Sequence, residues 1–178
     1  RTAAQSPLHG TPRAFWRSDM ATINQLFGTS NQTITLTIAS LGNTSAREST
    51  AVDNTSNLFM DVKVAVKVKT NAAGTSATGA VNIFAYATVD GGTTYSGGAT
   101  GSDAAYTNNK DALIYLGSLP TIANATTYVS MFNLSRAFGY GGIPAKWGIV
   151  IDNQSGAALD ATAGNHSAVY QGINATVA

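Results

Sequence analysis

The chain has 178 residues, a formal net charge of +1, no cysteine and only 11% charged residues. That length suits one domain with a sizeable core and room for an arm. The missing cysteines exclude disulfides, thiolate zinc sites and cysteine nucleophiles, and the near-neutral charge argues against a nucleic-acid partner. Ordinary domains carry about 25% charged residues. The polar surface here must be built from Thr, Ser, Asn and Gly instead, which suits a protein covered by neighbours or living outside cells.

The segment Arg1 to Asp19 holds Arg1, Arg13 and Arg17 together with Pro7 and Pro12. It lacks the apolar core of a signal peptide, and no stretch of the chain has the ~20 apolar residues of a membrane span, so no membrane partner is expected. Met20-Ala21-Thr22-Ile23 reads as a natural start. Residues 1–32 are therefore expected to form an N-terminal arm or extension, native or processed, and residues 33–178 a single β-sandwich domain. Within the first part, Asn24-Gln25-Leu26-Phe27 is compatible with a short helix or turn.

Thr33 to Ile38 alternates, predicting a strand with Ile34, Leu36 and Ile38 inward. Ser40 to Asn57 is rich in Ser, Thr, Asn and Gly and reads as a loop, with a short strand at Thr50 to Val52. Leu58 to Thr70 then shows the clearest pattern in the chain. Leu58, Met60, Val62, Val64, Val66 and Val68 alternate with charged or small residues, predicting a long strand with one buried face. Val81, Ile83, Ala85, Ala87 and Val89 mark the inward face of the next strand, with Phe84 and Tyr86 opposite. Asp90 to Asp111 is a long glycine-rich stretch bearing Tyr95 and Tyr106, of the kind that makes contacts. Short strands follow at Ala112 to Leu119 and Thr126 to Leu134. Trp147, Ile149 and Ile151 line one side of a strand from Lys146 to Asp152. Ala157 to Leu159 and His166 to Ala175 close the domain.

About eight strands without crossover helices predict an all-β, antiparallel β-sandwich. A jelly-roll-like arrangement with an extended N-terminal arm fits best; an immunoglobulin-like sandwich is the alternative.

Little in the chain looks like chemistry. His166 is the one histidine placed to act as a base in a Ser–His–acid set, but a strand-end histidine explains it as well. No glycine-rich turn opens a helix to cradle phosphate. Asp90, Asp103 and Asp111 could offer oxygens to calcium, yet their spacing fits no known loop and suits turn-forming aspartates. No catalytic residue, cofactor or metal is therefore expected, and the chain reads as non-enzymatic. Lys63, Lys67 and Lys69 make a basic stripe on the outward face of the long strand, able to meet an acidic partner or to discourage wrong edge pairing. Tyr86, Tyr95, Tyr106, Tyr128, Tyr140 and Trp147 include candidates for stacking on a sugar, with Trp147 better suited to the core and the loop tyrosines Tyr95 and Tyr106 to an interface. The Asn-X-Ser/Thr matches from Asn31 to Asn174 have meaning only in a glycosylating host. The candidate interface set is Arg13, Phe15, Trp16, Arg17, Lys63, Lys67, Lys69, Tyr95 and Tyr106.

Thr50-Ala51-Val52-Asp53-Asn54, the lysine-alternating strand to Thr70, Gly74 to Gly79, Val89-Asp90-Gly91-Gly92-Thr93-Thr94-Tyr95 and Lys146 to Asp160 carry a resemblance. Together, from about Met20 to the C-terminus, they resemble small structural proteins of tailed bacteriophage particles, of the head decoration or cement type. The resemblance implies a multi-copy virion protein on the outer surface of the particle, contacting the major capsid protein and other copies of itself, with a homotrimer preferred. A tail or fibre component, or a carbohydrate- or receptor-binding module, is the alternative.

Overall fold

The computed structural model describes residues 22–139 and 142–177. Its strands are β1 (Ile23–Phe27), β2 (Gln32–Thr33), β3 (Ala46–Glu48), β4 (Val52–Asp53), β5 (Asp61–Lys69), β6 (Ala80–Thr88), β7 (Ala104–Tyr106), β8 (Ile114–Pro120), β9 (Thr127–Asn133), β10 (Lys146–Gln154) and β11 (Ser167–Val177). One short helix, α1 (Ser135–Phe138), lies between β9 and β10.

The strands form two antiparallel sheets. One runs β1-β11-β5-β9, with β2 also on β11; the other runs β7-β3-β10-β6-β8, with β4 also on β10. The chain switches sheet at β2–β3, β4–β5, β5–β6, β8–β9, β9–β10 and β10–β11. Sequence neighbours are thus mostly separated by the core, as two interleaved Greek keys require. The protein is an all-β sandwich of jelly-roll order.

The alternating pattern of the long strand explains its place. Val62, Val64, Val66 and Val68 are fully buried, and β-branched side chains suit a pleated inner face. They pack with Val81, Ile83 and Ala85 of β6, and with Trp147, Ile149 and Ile151 of β10. Ile34 and Ile38 are buried and Leu36 packs against the same core, as their alternation predicts. Only Gln32–Thr33 of that segment lies in a ladder, because the chain then crosses between the sheets: Ile34 N–H donates to Ala168 O and Thr50 N–H to Thr35 O.

Several expectations change. Asn24 to Phe27 is neither helix nor turn but part of β1, paired with residues 173–177 of β11. Extended chain there finds backbone partners that a single helical turn would lack. The segment read as an extension thus supplies an edge strand whose side chains stay exposed. Arg13, Phe15, Trp16 and Arg17 lie outside the described residues.

Leu58 and Met60, expected inward, are 71% and 59% exposed. The strand begins only at Asp61, because Leu58 sits at φ 51° and breaks the period of two. Val89, also expected inward, is exposed, since β6 ends at Thr88 and the chain turns.

The glycine-rich stretch is the largest departure. It folds back on the outer face of the second sheet and builds a second small core. Tyr86, Val150 and Ala46 on the sheet meet Ala99, Tyr106 and Leu113 from above. Tyr86 is therefore buried although it points away from the main core.

Candidate interaction surface

The sequence-singled polar residues resolve into structural roles. Asp90 gathers the turn after β6: its carboxylate accepts from the backbone N–H of Gly92, Thr93 and Thr94 and from the hydroxyls of Thr88 and Thr94. The hydroxyls of Thr88 and Thr94 lead these donors in holding the carboxyl far below its ordinary range. Asp103 is pushed up by burial, but the Arg47 guanidinium and Thr37 outweigh this and hold it low. Asp111 faces solvent, its N–H held by the Asn109 side chain. These aspartates do not converge, and no cluster of three metal-ligating side chains occurs among the described residues.

The long stretch is fastened at its middle and at its far end. Buried Glu48 accepts from Thr100 N–H and Oγ1 at 2.8 and 2.9 Å. Lys110 Nζ lies 2.7 Å from buried Asp152, which also accepts from Gln154. Tyr106 Oη donates to Gly97 O at 2.6 Å and is buried; burial, then the Glu48 charge, pushes its phenol up. Tyr95 is half-buried and meets Tyr86 edge-to-face, ring centroids 5.4 Å apart. Tyr106 is thus a core residue and not a surface contact, while Tyr95 lines a groove of about 680 Å³ with Ile114, Phe138 and Ile143. Hydroxyl anchoring to backbone carbonyls draws tyrosines from a loop into a core, and periodicity carries no sign of it.

Lys63, Lys67 and Lys69 do share the outward face of β5, as alternation predicts. Each is braced by a neighbour. Lys63 Nζ donates to Asn133 Oδ1, Lys67 Nζ to Gly164 O, and Lys69 lies 3.6 Å from Asp160. His166 belongs to the same tie. Its Nδ1 accepts from Lys69 N–H and its Nε2 pairs with Asp160 O at 2.8 Å. Both ring nitrogens are committed to backbone, so the imidazole serves the β10–β11 turn. Asp160 is held down to about 2, first by the Asn165 amide and then by Thr162 N–H.

What remains is apolar surface. Ile23, Leu26, Phe27, Leu58 and Met60 are each more than half exposed, with Ile23 and Phe27 on one face of β1 and Leu26 on the other. A groove of about 510 Å³ runs between Ile23, Gln25, Met60, Ile173 and Ala175. Its wall is built with care. Buried Asn54 clamps the turn before β5: its Oδ1 accepts from Phe59 N–H at 2.9 Å and its Nδ2 donates to Phe59 O. The Phe59 ring lies flat over Gly172 and close to Gly28, where any Cβ on Gly172 would collide with it. With Phe59 anchored inward, Leu58 is forced outward at φ 51°. A left-handed leucine costs about 1–2 kcal/mol, and strained residues of this kind cluster at working surfaces. The sequence concealed this because Leu58 and Met60 continue the alternation of the buried valines.

Comparison with known proteins gives no further anchor: no family model, no curated protein and no solved structure matches the chain.

Proposed function

We propose that this chain is a non-enzymatic structural protein of a tailed bacteriophage particle, present in many copies and decorating the outer surface of the head. The observation that carries the reading is the exposed apolar surface along the groove between Ile23 and Met60, continued by Leu58 and by Phe27 on the Ile23 face of β1. Exposed apolar side chains gathered in one place mark a surface that is covered in use. The low charged fraction points the same way, since such a surface suits permanent neighbours better than free solution. The segments that carry the resemblance are a strand with its lysine face (β5), a tight aspartate-organised turn after β6, and the β10 strand with its following turn. They are scaffold, and the chemistry offered at the surface is packing.

In this reading the apolar surface seats on the major capsid protein. Individual contacts can be weak because many symmetric copies act together. The test is retention on particles stripped of this protein. Wild-type chain should rebind to saturation and co-sediment. Phe27→Asp and Met60→Asp should lose at least about tenfold in affinity, since burying an unpaired carboxylate costs more than 1.4 kcal/mol. Failure of the wild-type chain to co-sediment would refute the proposal.

A further inference from the structure

We propose that β9 is a self-pairing edge, through which two copies of this chain join their sheets in antiparallel register about Ser130. The strand closes one side of the β1-β11-β5-β9 sheet, and among the described residues no strand hydrogen-bonds to its outer edge, β8 of the other sheet packing beside it only through side chains such as Phe132 against Gly117. Its polarity follows from the ladder with β5. Leu134 N–H donates to Val62 O, and Thr70 N–H donates to Thr126 O. Even-numbered residues therefore spend their peptide groups on β5, because in antiparallel pairing the hydrogen-bonded positions alternate. Thr127, Val129, Met131 and Asn133 turn their N–H and C=O outward. The same residues carry the outward-facing side chains, and Val129 and Met131 are 66% and 68% exposed.

Edge strands are normally blunted by charge, proline, a bulge or short length. The other described edges of the second sheet follow that rule. β7 and β4 are short, and β8 carries Pro120, Gly117 at φ 153° and an irregular register beside it. β9, Thr-Tyr-Val-Ser-Met-Phe-Asn, has none of these devices. Arg136 lies beyond its end, on α1.

The strand is complementary to itself. Centring an antiparallel pair on Ser130 places Val129 of one copy opposite Met131 of the other, and Thr127 opposite Asn133. Apolar meets apolar and polar meets polar, with outward peptide groups facing each other. The charges permit it too. Lys63 and Lys67 sit one strand back on β5, so the two lysine rows would be three strand spacings apart. That is roughly 14 Å, beyond the screening length of about 8 Å at physiological salt. A second copy is thus accepted without repulsion. The contact is two-fold and predicts a dimer.

This inference deepens the multi-copy reading but is tested on purified chain alone, so its failure would leave that reading standing. Sedimentation velocity of the full chain should show mass rising from 18.3 kDa toward twice that value with concentration. Val129→Lys and Met131→Lys should keep it monomeric, and both sites are exposed enough to leave the melting temperature unchanged. Register is read separately, since the chain has no cysteine. Val129→Cys mixed with Met131→Cys should form the crossed disulfide in preference to either self-pair, because directly opposed residues lie within bridging distance and diagonal ones do not. A monomer at every concentration, a trimer, an association unmoved by the lysine variants, or equal crossed and self cross-linking would each overturn the proposal.

Discussion

Gly148 is the position at which packing can be tested most sharply. It lies on β10 directly opposite Tyr86 of β6. A Cβ there would fall 2.5 Å from Tyr86 Cε1 and nearer still to the end of the ring. Ordinary contact begins near 3.5 Å, so the ring must retreat by about 1 Å. It has nowhere to go. Its hydroxyl donates to Ser49 O at 2.5 Å, Tyr95 meets it edge-to-face, and it is fully buried. Overpacking of this kind costs about 1–3 kcal/mol, and losing the buried hydroxyl bond adds about 1 kcal/mol. Alanine recovers about 0.5–1 kcal/mol through lower chain entropy. Gly148→Ala should therefore destabilise by about 1–3.5 kcal/mol, lowering Tm by roughly 2–14 °C for a chain of this size. Urea unfolding followed by circular dichroism gives the value. On a Tyr86→Ala background the same substitution should cost little, a coupling of about 2 kcal/mol. A Gly148→Ala protein within about 0.5 kcal/mol of wild type would refute the packing argument.

Other outcomes follow from the same physics. Asp90 and Asp160 have folded-state values below their ordinary one, so their stabilisation is present above about pH 4 and is lost as pH falls toward 2. The urea midpoint should drop over that window, and Asp90→Asn with Asp160→Asn should flatten the drop. Lys110→Ala takes the only cation from the buried Asp152 carboxylate among the described residues, leaving it amide donors alone, and unfastens the segment after β6. It should cost about 1–3 kcal/mol and open that segment to limited proteolysis while the sandwich stays folded. Leu58→Gly relieves a left-handed leucine and should be neutral to stabilising by up to about 1 kcal/mol, yet weaken retention on particles.

The sandwich was legible because its signals are local. Val62 to Val68, Val81 to Ala85, and Trp147 to Ile151 each write their buried face in alternation, and that alternation survives in the fold. The second core was not legible. Tyr106 and Leu113 reach the sheet through a turn organised by Asp90 and anchors to Glu48 and Asp152, and those partners are distant in sequence. β1 was missed because its exposed side chains carry no amphipathic pattern and its partner is the C-terminal strand. The candidate surface was hidden by Leu58 and Met60, which imitate the core pattern while a clamped turn directs Leu58 outward. The outward direction of the lysine face follows from alternation, but each amine is braced by neighbouring groups that sequence spacing cannot reveal.

The central proposal, that this chain is a multi-copy component of a phage head, is tested most directly by quantitative mass spectrometry of gradient-purified particles. A multi-copy head protein should be present at roughly tens to hundreds of copies per particle, in fixed ratio to the major capsid protein. Absence from the particles, with the chain free or on cell envelopes, would contradict it.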